Sequence, residues 1–203
     1  MEQLTAEVLA FIKGHPDLAA WVIGLTAFAE SFAILSFIFP GFAILVAAGA
    51  LVQAGLIDPV SAAFAGALGA VLGDALSYWI GLKFGHVLPR VWPFNRHAAA
   101  LEQGVQFFHK WGWPSVFAGR FFGPVRAFIP LAAGICRMPP APFYAANILS
   151  AVIWAPALLF SGYLIGTIAR NGWSIEQKAL AAGAALALFA GLIWLAKKIF
   201  TPK

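Results

Sequence analysis

The sequence predicts an all-α integral membrane protein, built from transmembrane helices and two opposed re-entrant helical hairpins in an inverted-repeat arrangement. Three observations lead there. The 203 residues are 62% hydrophobic and 10% charged, with a mean hydropathy of +0.85, more than a water-soluble core of this size requires. The apolar residues gather into tracts near or above the roughly 20 residues that cross hydrocarbon. Two of these tracts are broken by proline, glycine or arginine, and broken backbone at membrane depth is tolerated only where protein or a wet cavity covers it. A single membrane domain over 1–203 is expected.

Residues 1–17 carry Glu2, Glu7 and Asp17 against one cation, Lys13. A signal peptide begins with basic residues, so this segment is expected to form a short interfacial helix instead. The first half, 18–82, opens with the tract Leu18 to Ile57, which is broken at Pro40-Gly41 and predicts a re-entrant hairpin near 30–57. Val60 to Leu82 then forms a full span. Residues 83–110 are a basic connection holding Lys83, Arg90, Arg96 and Lys110. In the second half, 111–169, the tract Trp111 to Ile135 contains Pro114, Arg120, Pro124, Arg126 and Pro130 and predicts a second hairpin near 112–136. Phe143 to Ala169 is a further span, and a C-terminal transmembrane helix is expected at 176–198, with Lys197, Lys198 and Lys203 at its end.

Charge bias tests the layout, because both basic segments belong on the cytoplasmic side. If Trp111 to Ile135 re-enters, two crossings separate them and the chain returns to one face; a full span there would make three and break the bias. The C-terminus is therefore expected in the cytoplasm. A repeat at an offset of 85 points the same way: Ile44, Ala47-Ala48-Gly49, Tyr78 and Ile80-Gly81 recur as Ile129, Ala132-Ala133-Gly134, Tyr163 and Ile165-Gly166. With one crossing between them, the hairpins would enter from opposite faces, as in transporters whose substrate sits between half-helices. Accidental similarity among small residues is the competing explanation.

The strongest local feature is the run Gly119 to Arg126, with Arg120 and Arg126 on either side of Gly123-Pro124 and with Pro130 following. An arginine in the centre of a membrane helix costs roughly 2.5 to 3.5 kcal/mol, so two within six residues need a reason. The break lets both converge at a hairpin tip. Arg120 would close the entering arm, where the helix dipole favours a cation, and Arg126 would open the leaving arm, where it calls for an anion. Pro124 and free amides at that helix start would add donors. Two guanidiniums suit a phosphate. A structural arginine–carboxylate pair, or snorkelling to the headgroups, is the plainer alternative. Glu30 and Asp74, as carboxylates in apolar spans, must be paired or protonated, and either neutralise an arginine or carry a proton as access alternates.

Other classes fail on residue counts. The thirteen Lys and Arg are scattered and form no stripe for nucleic acid. Cys136 is the only cysteine, and no Cys/His cluster offers a metal site. Asp74 is the only aspartate within a span, where an intramembrane aspartyl protease needs two. His15, His86, His97 and His109 fall in polar segments, which leaves no histidine for a serine or phosphatase mechanism. No enzyme, cofactor or metal is expected.

At these residues the chain resembles the DedA family of bacterial membrane proteins, whose core is also called the SNARE-associated or VTT domain. The matching residues are Arg120-Phe121, Pro124, Arg126, Pro130, Ala133-Gly134, Met138, Phe143, Asn147 and Trp154, with Glu30, Pro40-Gly41, Gly73-Asp74, Tyr78, Gly81 and Gly85 upstream. The resemblance covers about residues 25 to 170 and implies two opposed hairpins in the bacterial cytoplasmic membrane. It also implies transport of lipids, undecaprenyl phosphate or phosphatidylethanolamine among them, with dependence on the proton motive force in several members. The family's functional residues carry over to Glu30, Arg120 and Arg126. One does not: Phe42 stands where many members have an acidic residue after Pro-Gly, which leaves energy-independent scrambling open.

The expected function is thus a lipid flippase or scramblase. Arg120, Arg126, Gly123 and Pro124 would bind the headgroup, Glu30 and Asp74 would couple to protons, and Pro40, Gly41 and Pro130 would break the hairpins. Undecaprenyl phosphate is the first choice of lipid, with phosphatidylethanolamine or proton-driven export of a small molecule as alternatives. The oligomeric state is left open, a homo-oligomer included.

Overall fold

The computed structural model describes residues 16–37, 41–88, 96, 98–121 and 126–170. Among these there are seven α-helices and no strand. Helix α1 runs over Pro16–Ser31 and leads into a single 3₁₀ turn at Leu35–Phe37. Helix α2, Gly41–Gln53, stops at Gly55, whose φ of 72° permits the reversal in which the Leu56 amide bonds the Leu51 carbonyl. Helix α3, Pro59–Phe84, starts where Asp58 Oδ2 accepts the Ser61 amide at 2.7 Å and Pro59 supplies a preset φ. Helices α4 (Ala98–Trp111), α5 (Pro114–Gly119), α6 (Phe128–Ile135) and α7 (Pro140–Arg170) follow. Gly112 turns the chain between α4 and α5 at φ 60°, and Arg137 takes φ 54° after α6 while the Met138 amide closes onto the Ala133 carbonyl.

Helices α3 and α7 are long and apolar enough to cross a membrane. Their outer faces expose Val60, Phe64, Leu68 and Leu72 on α3 and Val152, Ile153 and Phe160 on α7, a surface suited to lipid. The remaining helices are shorter. α1 lies along α3 and α5 along α7, whereas α2 lies against α7 and α6 against α3. Glycine makes these crossings close. A Cβ on Gly49 would overlap the Leu159 carbonyl and one on Gly162 the Val46 carbonyl; one on Gly134 would overlap the Tyr78 carbonyl and one on Gly81 the Leu131 carbonyl. Absent side chains thus let backbones touch, the usual device of helix packing in lipid. Beside the second crossing, Tyr78 is fully buried, stacks on Phe143 at 4.1 Å between centroids and donates its hydroxyl hydrogen to the Met138 carbonyl.

Several sequence expectations shift. The two crossings match at an offset of 85 on the short helices (Gly49 with Gly134) but at 81 on the long ones (Gly81 with Gly162, Pro59 with Pro140). The expected pairing of Gly81 with Gly166 is therefore one helical turn out, chiefly because α2 runs on to Gln53 past Gly49 whereas α6 stops at Ile135, directly after Gly134. The basic connection over 83–110 is in part structured: α3 continues to Phe84, and α4 packs on α6 through Leu101 and Gly104 while exposing Glu102 and Gln106. Pro130 does not break a helix. It occupies the first turn of α6, where no amide is yet needed, and the chain bends ahead of it. Pro40, Gly123, Pro124, residues 1–15 and the helix expected at 176–198 lie outside the described residues.

Candidate functional site

Asp74 points inward from the middle of α3 because Gly73 beside it presses against the Phe28 carbonyl and Ser31 of α1. The Ala33 amide, just past the end of α1, is capped by Ser77 Oγ at 2.9 Å, which fixes the exit of α1 against α3 next to Asp74. From the other half, α5 ends at Gly119, where a side chain would collide with Ile129, and Arg120 follows as its C-cap. Arg120 Nη2 donates to both Asp74 Oδ2 and Asn147 Oδ1, and Asn147 Nδ2 donates in turn to the Val71 carbonyl of α3 at 3.1 Å. Arg120 Nε and Nη1 are buried and have no hydrogen-bond partner among the described residues.

Arg126 sits in the turn before α6. Its Nη2 lies 3.3 Å from Glu30 Oε1 and donates to the Glu30 backbone carbonyl at 3.1 Å. Each ion pair therefore joins a carboxylate of the first half to an arginine of the second. One aromatic ring spans the two, with the Trp154 centroid 5.0 Å from Arg126 Cζ and 5.8 Å from Arg120 Cζ. Beside Asp74 and the two arginines lies a crevice of about 10 Å³, lined also by Ser31, Val116, Ala127 and Pro130. That is about the room of a single water, and much less than a phosphate needs. In this conformation each carboxylate is paired with one arginine, and the crevice among the described residues is too small for a headgroup.

Glu30, Asp74, Arg120 and Arg126, singled out from the sequence, thus meet at one place. Gly41, expected at the hairpin break, is the buried first residue of α2. Arg126 lies just ahead of its helix, not within the first turn, and Arg120 lies just beyond the end of α5. His86 is exposed, and exposed His109 lies 3.6 Å from Cys136 Sγ. Among the described residues no group of three or more His, Cys, Asp or Glu gathers as a metal site would. Sequence reading assigned no role to Asn147 or Trp154. A signal was present in both: an amide inside an apolar span needs a partner, and a tryptophan far from either end of a long span is out of place in an interfacial belt.

The sequence profile of the VTT domain matches residues 39–164. The chain is 34% identical to the inner membrane protein YabI of Escherichia coli K12 over 157 residues, which cover 77% of this chain and 61% of YabI. It is 31% identical to Protein DedA of the same organism over 160 residues, covering 75% of this chain and 72% of that one. It is likewise 31% identical over 172 residues to an uncharacterized membrane protein of Mycobacterium tuberculosis H37Rv, covering 81% and 78%. No solved structure matches. With the profile covering more than half of its length, the chain belongs to the VTT-domain family, the DedA family of bacterial membrane proteins.

Proposed function

We propose that the chain is a transporter of membrane lipids, not an enzyme, and that it carries an anionic headgroup between the leaflets of the cytoplasmic membrane, with undecaprenyl phosphate as first choice. The observation that supports this most directly is the meeting of two arginines with two carboxylates over one tryptophan ring at the boundary between the halves. A guanidinium that can trade its carboxylate for a phosphate gives a binding site that opens only when the headgroup arrives. Protonation of Glu30 releases Arg126, the phosphate takes the vacant place, and loss of the proton on the other side expels it. The tail stays in lipid. A phosphomonoester, whose net negative charge has no ammonium of its own to answer it, fits the released guanidinium better than a zwitterionic headgroup.

Two re-entrant hairpins entering from opposite faces suit this reading. α1 and α2, of 16 and 13 residues, measure about 24 and 20 Å, and α6, of 8 residues, about 12 Å, all short of a hydrocarbon slab of about 30 Å. The exchanged packing of α2 on α7 and α6 on α3 is what such a repeat would produce. Lys83, Arg96 and Lys110 then face the cytoplasm, and the C-terminus with them.

The test is reconstitution into liposomes carrying labelled undecaprenyl phosphate or labelled phosphatidylethanolamine, with and without a pH gradient. The wild type should move undecaprenyl phosphate, and Arg126→Ala and Glu30→Gln should each slow it by at least about tenfold, the loss of one charge-assisted contact. Equal movement in all variants would overturn the exchange, and preference for phosphatidylethanolamine would change the substrate. The same closed ion pairs also favour a second reading, a purely structural clasp between the halves. In that case the swap Glu30→Arg with Arg126→Glu would keep full activity; in transport it would not.

A further inference from the structure

The two ion pairs are not equivalent. Arg120 is gripped by two side chains, Asp74 and Asn147, and Asn147 is itself tied to the Val71 carbonyl of α3. Its side chain is 5% exposed and that of Asp74 10%. Moving Arg120 would unmake contacts to both long helices at once. Arg126 has one carboxylate at 3.3 Å and one backbone carbonyl at 3.1 Å, both from the same residue, and its side chain is 15% exposed. It stands in a turn and not at a helix end packed on α7, and it is the arginine nearer to the Trp154 ring, at 5.0 Å against 5.8 Å. Trp154 is itself 7% exposed and belongs to the buried core of α7, so its face is fixed.

A guanidinium leaving its carboxylate inside a membrane needs another partner on the way, since the alternative is a bare charge in a medium of low dielectric. The charged groups around Arg126 are Glu30 of α1, Asp74 of α3 and Arg120. Asp74 is already engaged by Arg120, and Arg120 repels. What remains is the indole face, which attracts a cation more strongly when water is excluded and, being uncharged, does not hold it against an arriving anion.

We propose that Trp154 is a positioning residue on which the Arg126 guanidinium rests between Glu30 and the lipid phosphate, so that Arg126 alone exchanges partners while Arg120, clasped by Asp74 and Asn147, stays fixed. This rests on the transport reading given above. It replaces two equal clamps with one moving and one stationary cation.

The experiment uses the full chain in lipid nanodiscs, with ¹⁵N-labelled arginine side chains observed by NMR. In Glu30→Gln, an isosteric stand-in for the protonated acid, the Arg126 guanidinium should show a larger upfield ring-current shift while the Arg120 signals hold their positions. Site-specific replacement of Trp154 by fluorinated tryptophans, which weakens the π-face without changing shape, should reduce that shift stepwise. In liposomes the same series should slow undecaprenyl phosphate movement progressively, by about tenfold at the most fluorinated member. Unchanged Arg126 signals in Glu30→Gln, or equal movement of both arginines, would overturn the proposal. A fluorination series with graded NMR shifts but flat transport would overturn the part given to Trp154 in the exchange, whereas a wild type that moves no undecaprenyl phosphate would overturn the transport reading; Trp154→Phe, which retains a weaker π-face, should restore part of the rate lost in Trp154→Leu.

Discussion

Removing the Arg120 guanidinium would leave Asp74, itself 7% exposed, with no cation in contact. Breaking a buried pair in this way typically costs about 3–5 kcal/mol. Arg120→Met should therefore lower thermal stability in detergent far more than Arg126→Met, whose half-buried contact is worth nearer about 2 kcal/mol. The transport assay should rank the two differently, with Arg126→Met losing activity while the fold persists. Asn147→Leu should fall on the stability side, since it strips a hydrogen bond from Arg120 and leaves the Val71 carbonyl without its donor. At this scale the charged residues were legible because charge in an apolar span has to be explained. The roles of Asn147 and Trp154 were not, because an amide and an indole declare their partners only when α7 is laid across the two arginines.

Among elements, the backbone crossings decide which substitutions are tolerated. Gly49→Ala and Gly134→Ala each put a methyl into a facing carbonyl, and overpacking of this kind costs about 1–3 kcal/mol. Gly66→Ala, whose new methyl would meet the Ala155 methyl at 3.4 Å and Ile23 Cγ2 at 3.6 Å, both ordinary contacts, should change the melting temperature little. Gly55→Ala has open space around it but must hold φ at 72°, so its cost is conformational, about 1 kcal/mol. The start of α3 adds a pH prediction. The Ser61 amide and hydroxyl hold the exposed Asp58 carboxylate below its ordinary range. The cap contributes fully above the ordinary carboxylate pKa and is lost as pH falls through the depressed value, so Asp58→Ala should be destabilising at neutral pH and nearly silent in strong acid, as thermal melts across pH would record. The two long spans could be read from hydropathy alone. The register between the halves could not, because small residues repeat at too many offsets to fix it, and only the contacts of Gly49 with Gly162 and of Gly134 with Gly81 show the one-turn slip.

For the molecule as a whole, the resemblance to the DedA family was legible in the run Arg120-Phe121, Pro124, Arg126 and Pro130, with Glu30 and Gly73-Asp74 upstream. The closure of its crevice was not, since whether two arginines stand open or are already answered by Glu30 and Asp74 depends on how four separate elements meet. That closure has an electrical consequence. Two positive and two negative side chains sum to zero, so the resting site carries no charge for a transmembrane voltage to push. One proton on Glu30 raises the sum by one, and a singly ionised phosphate headgroup cancels it again. A cycle built on that exchange moves no net charge: a potassium diffusion potential set with valinomycin should leave its speed unchanged, while an imposed acidity difference of the same energy should drive it.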